Sequence, residues 1–209
     1  MPTEYEIKIH LPSKSVIDKL INDQYVTRYL KEGFVRTPMS ARYYDTPDWD
    51  LYKAGYMLRI RQEGQNVVAS LKKGTVDKGD HAGLCIRRKW LCTATSIAAA
   101  GSSLLNCGAP EDFGAIIEGK QLIETCYDEF TRTSAMLYME EGLVTELSID
   151  EGTMHVQGKD APILEMECEI IFGGIQELKP FADGISERYG LEPELTTKYE
   201  KAYLLAHEE

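Results

Sequence analysis

The sequence predicts an α+β fold in which about eight strands form one antiparallel sheet system, closed or nearly closed, with helices outside it. Two observations support this prediction. Charged and apolar residues alternate at two-residue spacing in segment after segment, and short turns with Gly or Pro separate these segments. Other segments carry the apolar stripe of amphipathic helices, which need an apolar sheet face to cover.

The first half of the chain alternates predicted strands with short helices. The predicted strands are EYEIKIH, FVRTPMSARYYDT, MLRIRQE, NVVASLKK and HAGLCIRRKWLC, with the third and fourth joined as a hairpin through Gly64. The predicted helices are SKSVIDKLINDQ after Pro12, then TATSIAAAGSSLLNC and PEDFGAIIEG, which are capped by Ser or Asp and end at Gly.

The second half repeats this arrangement with longer strands. Four extended segments are predicted in LIETCYDEFTRTSAMLYM, LVTELSIDEG, MHVQGKD and PILEMECEIIFG. Two helices, IQELKPFADGISERYG and TKYEKAYLLAHE, close the chain. We interpret these nine extended segments as about eight strands, accompanied by five or six helices. Because no linker or compositional break interrupts the pattern, we expect residues 1–209 to form a single domain.

Composition restricts the class of protein. The 209 residues carry a net charge of −11, which argues against broad binding to nucleic acid or to anionic membranes. No apolar run approaches the roughly 20 residues that a membrane span needs, and the N-terminal segment does not resemble a secretory signal. The five cysteines are scattered, without a C-x-x-C pair. We therefore expect a reduced, cytoplasmic protein without a disulfide framework or a structural zinc site.

The charges on alternate strand positions are segregated by sign. Arg59 and Arg61 share one strand face, whereas Glu165, Glu167 and Glu169 share another. Either a half-exposed sheet or a barrel with inward charges accommodates an ionic face, but the segregation favours the barrel. Clustered carboxylates repel one another unless a cation such as Mg²⁺ or Mn²⁺ lies among them, and clustered arginines suit phosphate oxygens. A cavity with both features is suited to a metal-bound polyphosphate.

Several motifs together resemble the CYTH domain, also called the triphosphate tunnel metalloenzyme superfamily. EYEIK resembles its opening Glu-x-Glu-x-Lys signature, and RYYDTPDWDLYKAGYMLRIRQEG resembles its YYDTP and L-R-x-R stretch. ASLKKG, GLCIRR, FTRT, ELSID, LEMECE and TTKYEKAY follow in the family's order. The resemblance implies a closed eight-stranded antiparallel barrel whose tunnel binds a triphosphate with Mg²⁺ or Mn²⁺.

The resemblance also implies roles for individual residues. The implied metal ligands are Glu4, Glu6, Asp150, Glu165, Glu167 and Glu169, with Glu167 and Glu169 as the preferred pair of the last strand. The implied phosphate-binding residues are Lys8, Arg59, Arg61, Lys72, Arg87, Arg132 and Lys198. Lys72 and Tyr43 match a lysine and a tyrosine that act together on the attacking water.

One position departs from the family pattern. Many relatives have Arg-x-Glu where this chain has Arg87, Arg88 and Lys89, so a cation replaces an inward acid. Glu146 shares the face of Asp150 without an assigned role. Arg88, Lys89, Glu146 and the residues with implied roles are each also compatible with a purely structural ion pair inside the barrel.

The resemblance leaves several functions open. The first is metal-dependent hydrolysis of a triphosphate, with inorganic triphosphate as the leading substrate and thiamine or nucleoside triphosphates as others. The second is a class IV adenylate cyclase, and the third is a non-catalytic polyphosphate or nucleotide binder. The apolar outer face of the sheet also suits a homodimer.

Overall fold

The computed structural model describes residues 3–63, 66–93 and 96–208. Within these ranges the chain has eight strands. They are β1 (Thr3–His10), β2 (Val35–Asp45), β3 (Tyr56–Glu63), β4 (Asn66–Val76), β5 (Leu84–Cys92), β6 (Ile123–Tyr138), β7 (Val144–Val156) and β8 (Lys159–Phe172).

The eight strands form a closed antiparallel barrel in the order β1-β5-β4-β3-β2-β6-β7-β8, with β1 also paired to β8. The predicted fold class is therefore confirmed. The register places Glu4 opposite Arg87 and Lys8 opposite Glu167. Because directly opposed residues point to the same side of a sheet, the charged positions of neighbouring strands share the inner face.

Seven α-helices and one 3₁₀ turn connect or follow the strands in the described residues. They are α1 (Lys14–Leu20), α2 (Gln24–Thr27), α3 (Asp50–Lys53), α4 (Ile97–Asn106), α5 (Glu111–Ile117), the 3₁₀ turn Glu140–Gly142, α6 (Ile175–Tyr189) and α7 (Lys198–His207).

The predicted number of helices was too low because α2 and α3 have only four residues each. Such a helix is too short to show a 3.6-residue period, and local hydrogen bonds hold it instead. The Asp23 carboxylate accepts a hydrogen bond from the Tyr25 amide at 2.8 Å, and the Asp45 carboxylate accepts one from the Leu51 amide at 2.8 Å. The turn predicted at Gly64 lies outside the described residues.

One strand, β7, contains LVTELSIDEG from Val144 onward together with the MHV of the predicted segment MHVQGKD. Lys159 and Asp160, at the end of that segment, already belong to β8. Gly152, which the sequence analysis took as a break, lies within β7. A Cβ atom there would lie 2.1 Å from the Glu129 carbonyl oxygen of β6. The absence of a side chain therefore allows close approach of β6 to β7 and does not end the strand.

Most helices cover the outer face of the barrel. Helices α1, α2 and α6 bury Ile17, Val26 and Phe181 against outward residues of β1, β7 and β8 such as Ile7 and Leu147. Helices α4 and α5 bury Leu104 and Phe113 against Leu71 and Trp90 of β4 and β5. No helix in the described part of the chain has the length and apolar character needed to cross a membrane.

Helix α7 instead packs against the inner face at one end of the barrel. Its Tyr199 and Ala202 contact Met154 and Val156 of β7, which share the face of Asp150. The inner face is thus apolar at this end and ionic further along. As a result, the first residue of α7, Lys198, is placed beside the ionic section.

Candidate functional site

A cavity of about 360 Å³ lies within the barrel. The predicted site residues that line it are Glu6, Lys8, Tyr43, Arg59, Arg61, Lys72, Arg87, Arg132, Glu167, Glu169 and Lys198. The three other predicted residues, Glu4, Asp150 and Glu165, are buried behind this lining and form ion pairs with its cations. All the predicted residues therefore come together around one cavity.

The acids form two groups, in each of which the ligand oxygens lie within 4.8 Å of one another. The first acid group consists of Glu4, Glu6 and Glu169. The second acid group consists of Asp150, Glu165 and Glu167.

In the first acid group, cations from β4 and β5 contact the carboxylates. Lys72 donates a hydrogen bond to Glu4 Oε1 at 2.6 Å, and Arg87 donates to Glu4 and Glu6 at 2.7 and 2.5 Å. Lys89 Nζ lies 3.1 Å from Glu4 Oε2 and 3.8 Å from Glu169 Oε1. The cation that replaces the family's acid thus lies directly beside this group.

In the second acid group, hydrogen bonds to cations are denser. Arg132 donates two hydrogen bonds to Asp150, both at 2.7 Å, and a third to Glu167 at 2.9 Å. Lys8 donates to the carboxylates of Glu165 and Glu167. Lys198 also hydrogen-bonds to Glu165 and forms an ion pair with Asp150 at 2.8 Å. Every carboxylate of this group thus accepts hydrogen bonds from the chain's own cations.

Burial and the contacts around the first acid group lower the pKa of Glu4 and raise that of Glu169. Burial alone would raise the pKa of Glu4, but Lys72, Arg87 and Lys89 lower it overall. Burial and the nearby Glu4 carboxylate raise the pKa of Glu169. Burial and the neighbouring Arg87 lower the pKa of Lys72 to about 7. Lys72 is therefore a buried amine with a substantial neutral fraction near neutral pH.

Both acid groups offer carboxylate oxygens, which Mg²⁺ and Mn²⁺ prefer. The first acid group is the better candidate for a divalent cation, because fewer of its oxygens accept hydrogen bonds from the chain's own cations. Glu4 Oε2 is buried, and no residue in the described ranges donates a hydrogen bond to it or to the Glu169 side chain. These oxygens are consistent with a site for such an ion.

Arg59 is a nearly buried cation on the cavity wall, with 7% of its surface exposed. Its Nε donates to the Ser70 hydroxyl at 3.3 Å, and it forms no ion pair with a carboxylate within the described ranges. A buried guanidinium without an anionic partner carries a desolvation cost. An anion in the cavity would offset that cost.

Tyr43 faces the cavity and donates a hydrogen bond to Asp128 Oδ2 at 2.8 Å. Burial and the Asp128 carboxylate raise the pKa of Tyr43, so its hydroxyl stays protonated at neutral pH. Asp128 was not among the site residues predicted from the sequence. The available signal was its position on β6, four residues before Arg132 and therefore on the same strand face.

A further part of the cavity lining, called the mouth below, was also not predicted from the sequence. This mouth includes Tyr52, Lys53, Tyr56, Lys78 and Glu200. Lys78 donates a hydrogen bond to Glu200 at 2.7 Å. Most of these residues lie in helices or loops, where the two-residue strand period that revealed the other charges does not apply.

Known proteins are similar to this chain over most of its length. An inorganic triphosphatase of Haemophilus influenzae is 24% identical over 206 residues, which is 98% of this chain and 55% of that protein. The chain thus spans about half the length of this curated relative.

Two solved structures share the fold. A Hippeastrum protein studied as a candidate adenylyl cyclase, with a stated dominant triphosphatase activity, superposes with a TM-score of 0.65 at 20% identity, covering 96% of this chain and 95% of that one. A candidate adenylate cyclase of Bacillus halodurans has a TM-score of 0.54 at 20% identity, covering 95% and 96% of the two chains. The CYTH domain profile matches residues 2–203. This chain therefore belongs to the CYTH domain family, as its motifs implied.

Proposed function

We propose that this chain hydrolyses a triphosphate with the help of Mg²⁺ or Mn²⁺, and that inorganic triphosphate is its leading substrate. The observation that carries the proposal is Arg59, a nearly buried guanidinium on the cavity wall without a carboxylate partner among the described residues. A phosphate matches the planar donor geometry of a guanidinium, as a carboxylate does, and a phosphate in the cavity would supply the anionic partner of Arg59.

The proposal assigns phosphate binding to the cations of the cavity. Arg59 and Arg61 share a strand face and hold phosphate oxygens, joined by Lys8, Lys72, Arg87, Arg132 and Lys198. These groups are fixed before substrate arrives because most of them already pair with buried carboxylates. Fixed cations stabilise the charge that develops on the transferred and leaving phosphates without reorganising during the reaction.

The proposal assigns the metal to the acids. The first acid group is its principal site, and the second, Asp150, Glu165 and Glu167, is a further candidate whose oxygens the chain's cations already contact. A divalent cation bound among these carboxylates would neutralise phosphate charge and act as a Lewis acid.

Proton transfer is assigned to Lys72 and Tyr43. Lys72 binds phosphate oxygens when it is protonated. In its neutral form it accepts a proton from the attacking water, since its amine lines the cavity and burial lowers its pKa to about 7. Tyr43 stays protonated and orients the same water through its hydroxyl oxygen, while its proton is donated to Asp128.

The comparisons support this activity by analogy. The Haemophilus influenzae relative is an inorganic triphosphatase, and the Hippeastrum structure has a stated triphosphatase activity. Thiamine triphosphate and nucleoside triphosphates are alternative substrates. A cyclase that forms cyclic AMP from ATP and a non-catalytic polyphosphate binder are the alternative functions.

One panel of assays separates these functions. The purified chain is incubated with inorganic triphosphate, thiamine triphosphate or ATP, each with Mg²⁺, Mn²⁺ or a chelator. We expect inorganic triphosphate to yield one phosphate and one pyrophosphate only when metal is present. Cyclic AMP from ATP would support the cyclase instead, and tight binding without any product would support the binder.

Replacing Arg59 tests the observation behind the proposal. We expect Arg59→Met to lower kcat/KM for inorganic triphosphate by about 100-fold or more, because a fixed donor to the transition state is lost. Arg42→Met is the matched control, since Arg42 lies on β2, pairs with Glu124 and has an exposed side chain. Equal activity of the two variants would contradict the assignment of Arg59.

The wider setting of the protein is also part of the proposal. All five cysteines are free in the structure, which suits a reducing, cytoplasmic environment.

We also propose a homodimer, because Tyr5 and Ile86 are neighbouring, exposed apolar residues on β1 and β5. Sedimentation at several concentrations would test it.

A further inference from the structure

Lys89 lies on β5 directly opposite Lys72 of β4, and both side chains point to the first acid group. Lys89 Nζ lies 3.1 Å from Glu4 Oε2 and 3.8 Å from Glu169 Oε1. The Lys89 side chain is 22% exposed, whereas those of Lys72 and Arg87 are 9% and 10% exposed. Lys89 is therefore the most accessible of the three cations.

The three cations contact different oxygens. Lys72 and Arg87 donate hydrogen bonds to Glu4 Oε1 and Glu6 Oε1, so those two oxygens are already bound. Lys89 makes ion pairs but no hydrogen bond within the described residues, and it faces Glu4 Oε2 and Glu169. No other described residue donates a hydrogen bond to these oxygens, and both residues belong to the first acid group, whose ligand oxygens lie within 4.8 Å of one another.

We propose that the Lys89 ammonium is a resident counter-ion of the first acid group, which competes with a divalent cation for Glu4 Oε2 and Glu169 and thereby weakens metal binding by the free protein. This inference deepens the proposed function and rests on its assignment of the metal to this acid group.

The competition follows from the positive charges of the Lys89 ammonium and the metal and from the flexibility of the Lys89 side chain. An ammonium and a divalent cation repel each other at such short range, so metal binding requires Lys89 to move. Lys89 has a flexible stem and already lines the cavity, so its displaced ammonium stays on the cavity surface, where the triphosphate is proposed to bind. The metal and the substrate should therefore strengthen each other's binding, and part of this coupling should depend on Lys89.

The test is calorimetric titration of Mn²⁺ into the full chain without substrate. Lys89→Met removes the charge at similar length, and we expect the Kd for Mn²⁺ to fall by about tenfold or more. Lys89→Arg keeps the charge and should bind Mn²⁺ within about threefold of the unsubstituted chain. Arg88→Met is the matched control, because it removes a cation from the adjacent, outward-facing position and should leave Kd unchanged.

Thermal unfolding gives a second readout that separates a counter-ion from a packing residue. Without metal, Lys89→Met should melt at a lower temperature than the unsubstituted chain, because Glu4 and Glu169 lose a neighbouring cation. With saturating Mn²⁺, the variant should gain more in Tm than the unsubstituted chain does. A residue that served only packing would lower both melting temperatures equally.

The outcomes distinguish this inference from the proposed function. If the unsubstituted chain binds Mn²⁺ and Lys89→Met binds it no more tightly, the inference is overturned and the proposed function stands. Absence of Mn²⁺ binding in every variant overturns both the inference and the metal assignment. Tighter binding by Lys89→Met, with no hydrolysis of any triphosphate by the unsubstituted chain, supports the inference and overturns the proposed function.

Discussion

Asp128 illustrates how one buried side chain is linked to its neighbours. It is fully buried on β6, accepts a hydrogen bond from Tyr43 on Oδ2, and has no hydrogen-bond partner on Oδ1. Burial raises its pKa to about 6, although the Tyr43 hydrogen bond and the positive charges of Lys198 and Arg59 oppose this shift. Glu165 adds to the rise. Ionisation of Asp128 therefore lowers the stability of the folded chain relative to the chain with neutral Asp128.

This shift predicts a pH effect on stability. The folded pKa of Asp128 lies above its ordinary value of 3.8, so the folded chain holds this proton up to a higher pH than the unfolded chain does. Its contribution to the free energy of unfolding is thus complete below about pH 4 and is lost as pH rises through about 6, a change of about 3 kcal/mol.

Asp128→Asn tests the prediction because the amide has no proton to lose and its oxygen still accepts from Tyr43. Urea unfolding at pH 4.5 and pH 7.5 should show that the variant gains stability relative to the unsubstituted chain at the higher pH. A stability difference that is the same at both pH values would show that Asp128 does not titrate as proposed.

Among the elements, α7 connects the barrel end to the ionic site. Its Lys198 forms ion pairs with Asp150 and Glu165, and the next residue, Tyr199, donates a hydrogen bond to the buried Asp45 at 2.8 Å. The Asp45 carboxylate also accepts from the amides at the start of α3. One buried carboxylate therefore joins β2, α3 and α7.

We expect Tyr199→Phe to lower the free energy of unfolding by about 1–3 kcal/mol, because it removes a hydrogen bond from a buried carboxylate. Tyr203→Phe is the control on the same helix, since Tyr203 stacks on Tyr52 and its hydroxyl has no hydrogen bond in the described part of the chain. Urea unfolding measures both. An equal loss in the two variants would mean that Tyr199 acts through ring packing alone.

The sequence predicted the positions of most strands and of helix α7 better than it predicted the continuity of β7 or the place where α7 packs. Two-residue alternation fixes which side chains share a face, so Arg59 and Arg61, or Glu165 and Glu167, could be placed together from spacing alone. Gly152 was misleading because glycine both ends strands and permits close strand approach. The placement of α7 at the barrel end depends on contacts far apart in sequence, which local periodicity does not contain.

For the whole molecule, the arrangement of charge matters more than its total. The chain has a net charge of −11, yet its cavity wall is rich in Lys and Arg. Each acid group lies among cations from other strands, so the barrel interior contains paired charges that would repel if either sign were alone. Closure of the barrel produces these pairs, since β1 contacts both β5 and β8.

Closure itself could not be derived from the charge pattern. Alternating ionic and apolar faces fit both an open sheet and a barrel. The segregation of the charges by sign favoured the barrel, and the resemblance to the CYTH domain implied its closure. The two acid groups were likewise not separable from sequence, because Glu169 and Glu167 have the same parity but belong to different groups. That residues 1–209 form a single domain remains a prediction.

The most direct test of the account is a crystal structure of the chain with Mn²⁺ and a non-hydrolysable triphosphate analogue, recorded with anomalous scattering. We expect a manganese peak bounded by Glu4, Glu6 and Glu169, and phosphate density against Arg59 inside the barrel. Manganese and analogue bound only on the outer surface, with this cavity filled by water, would contradict the account.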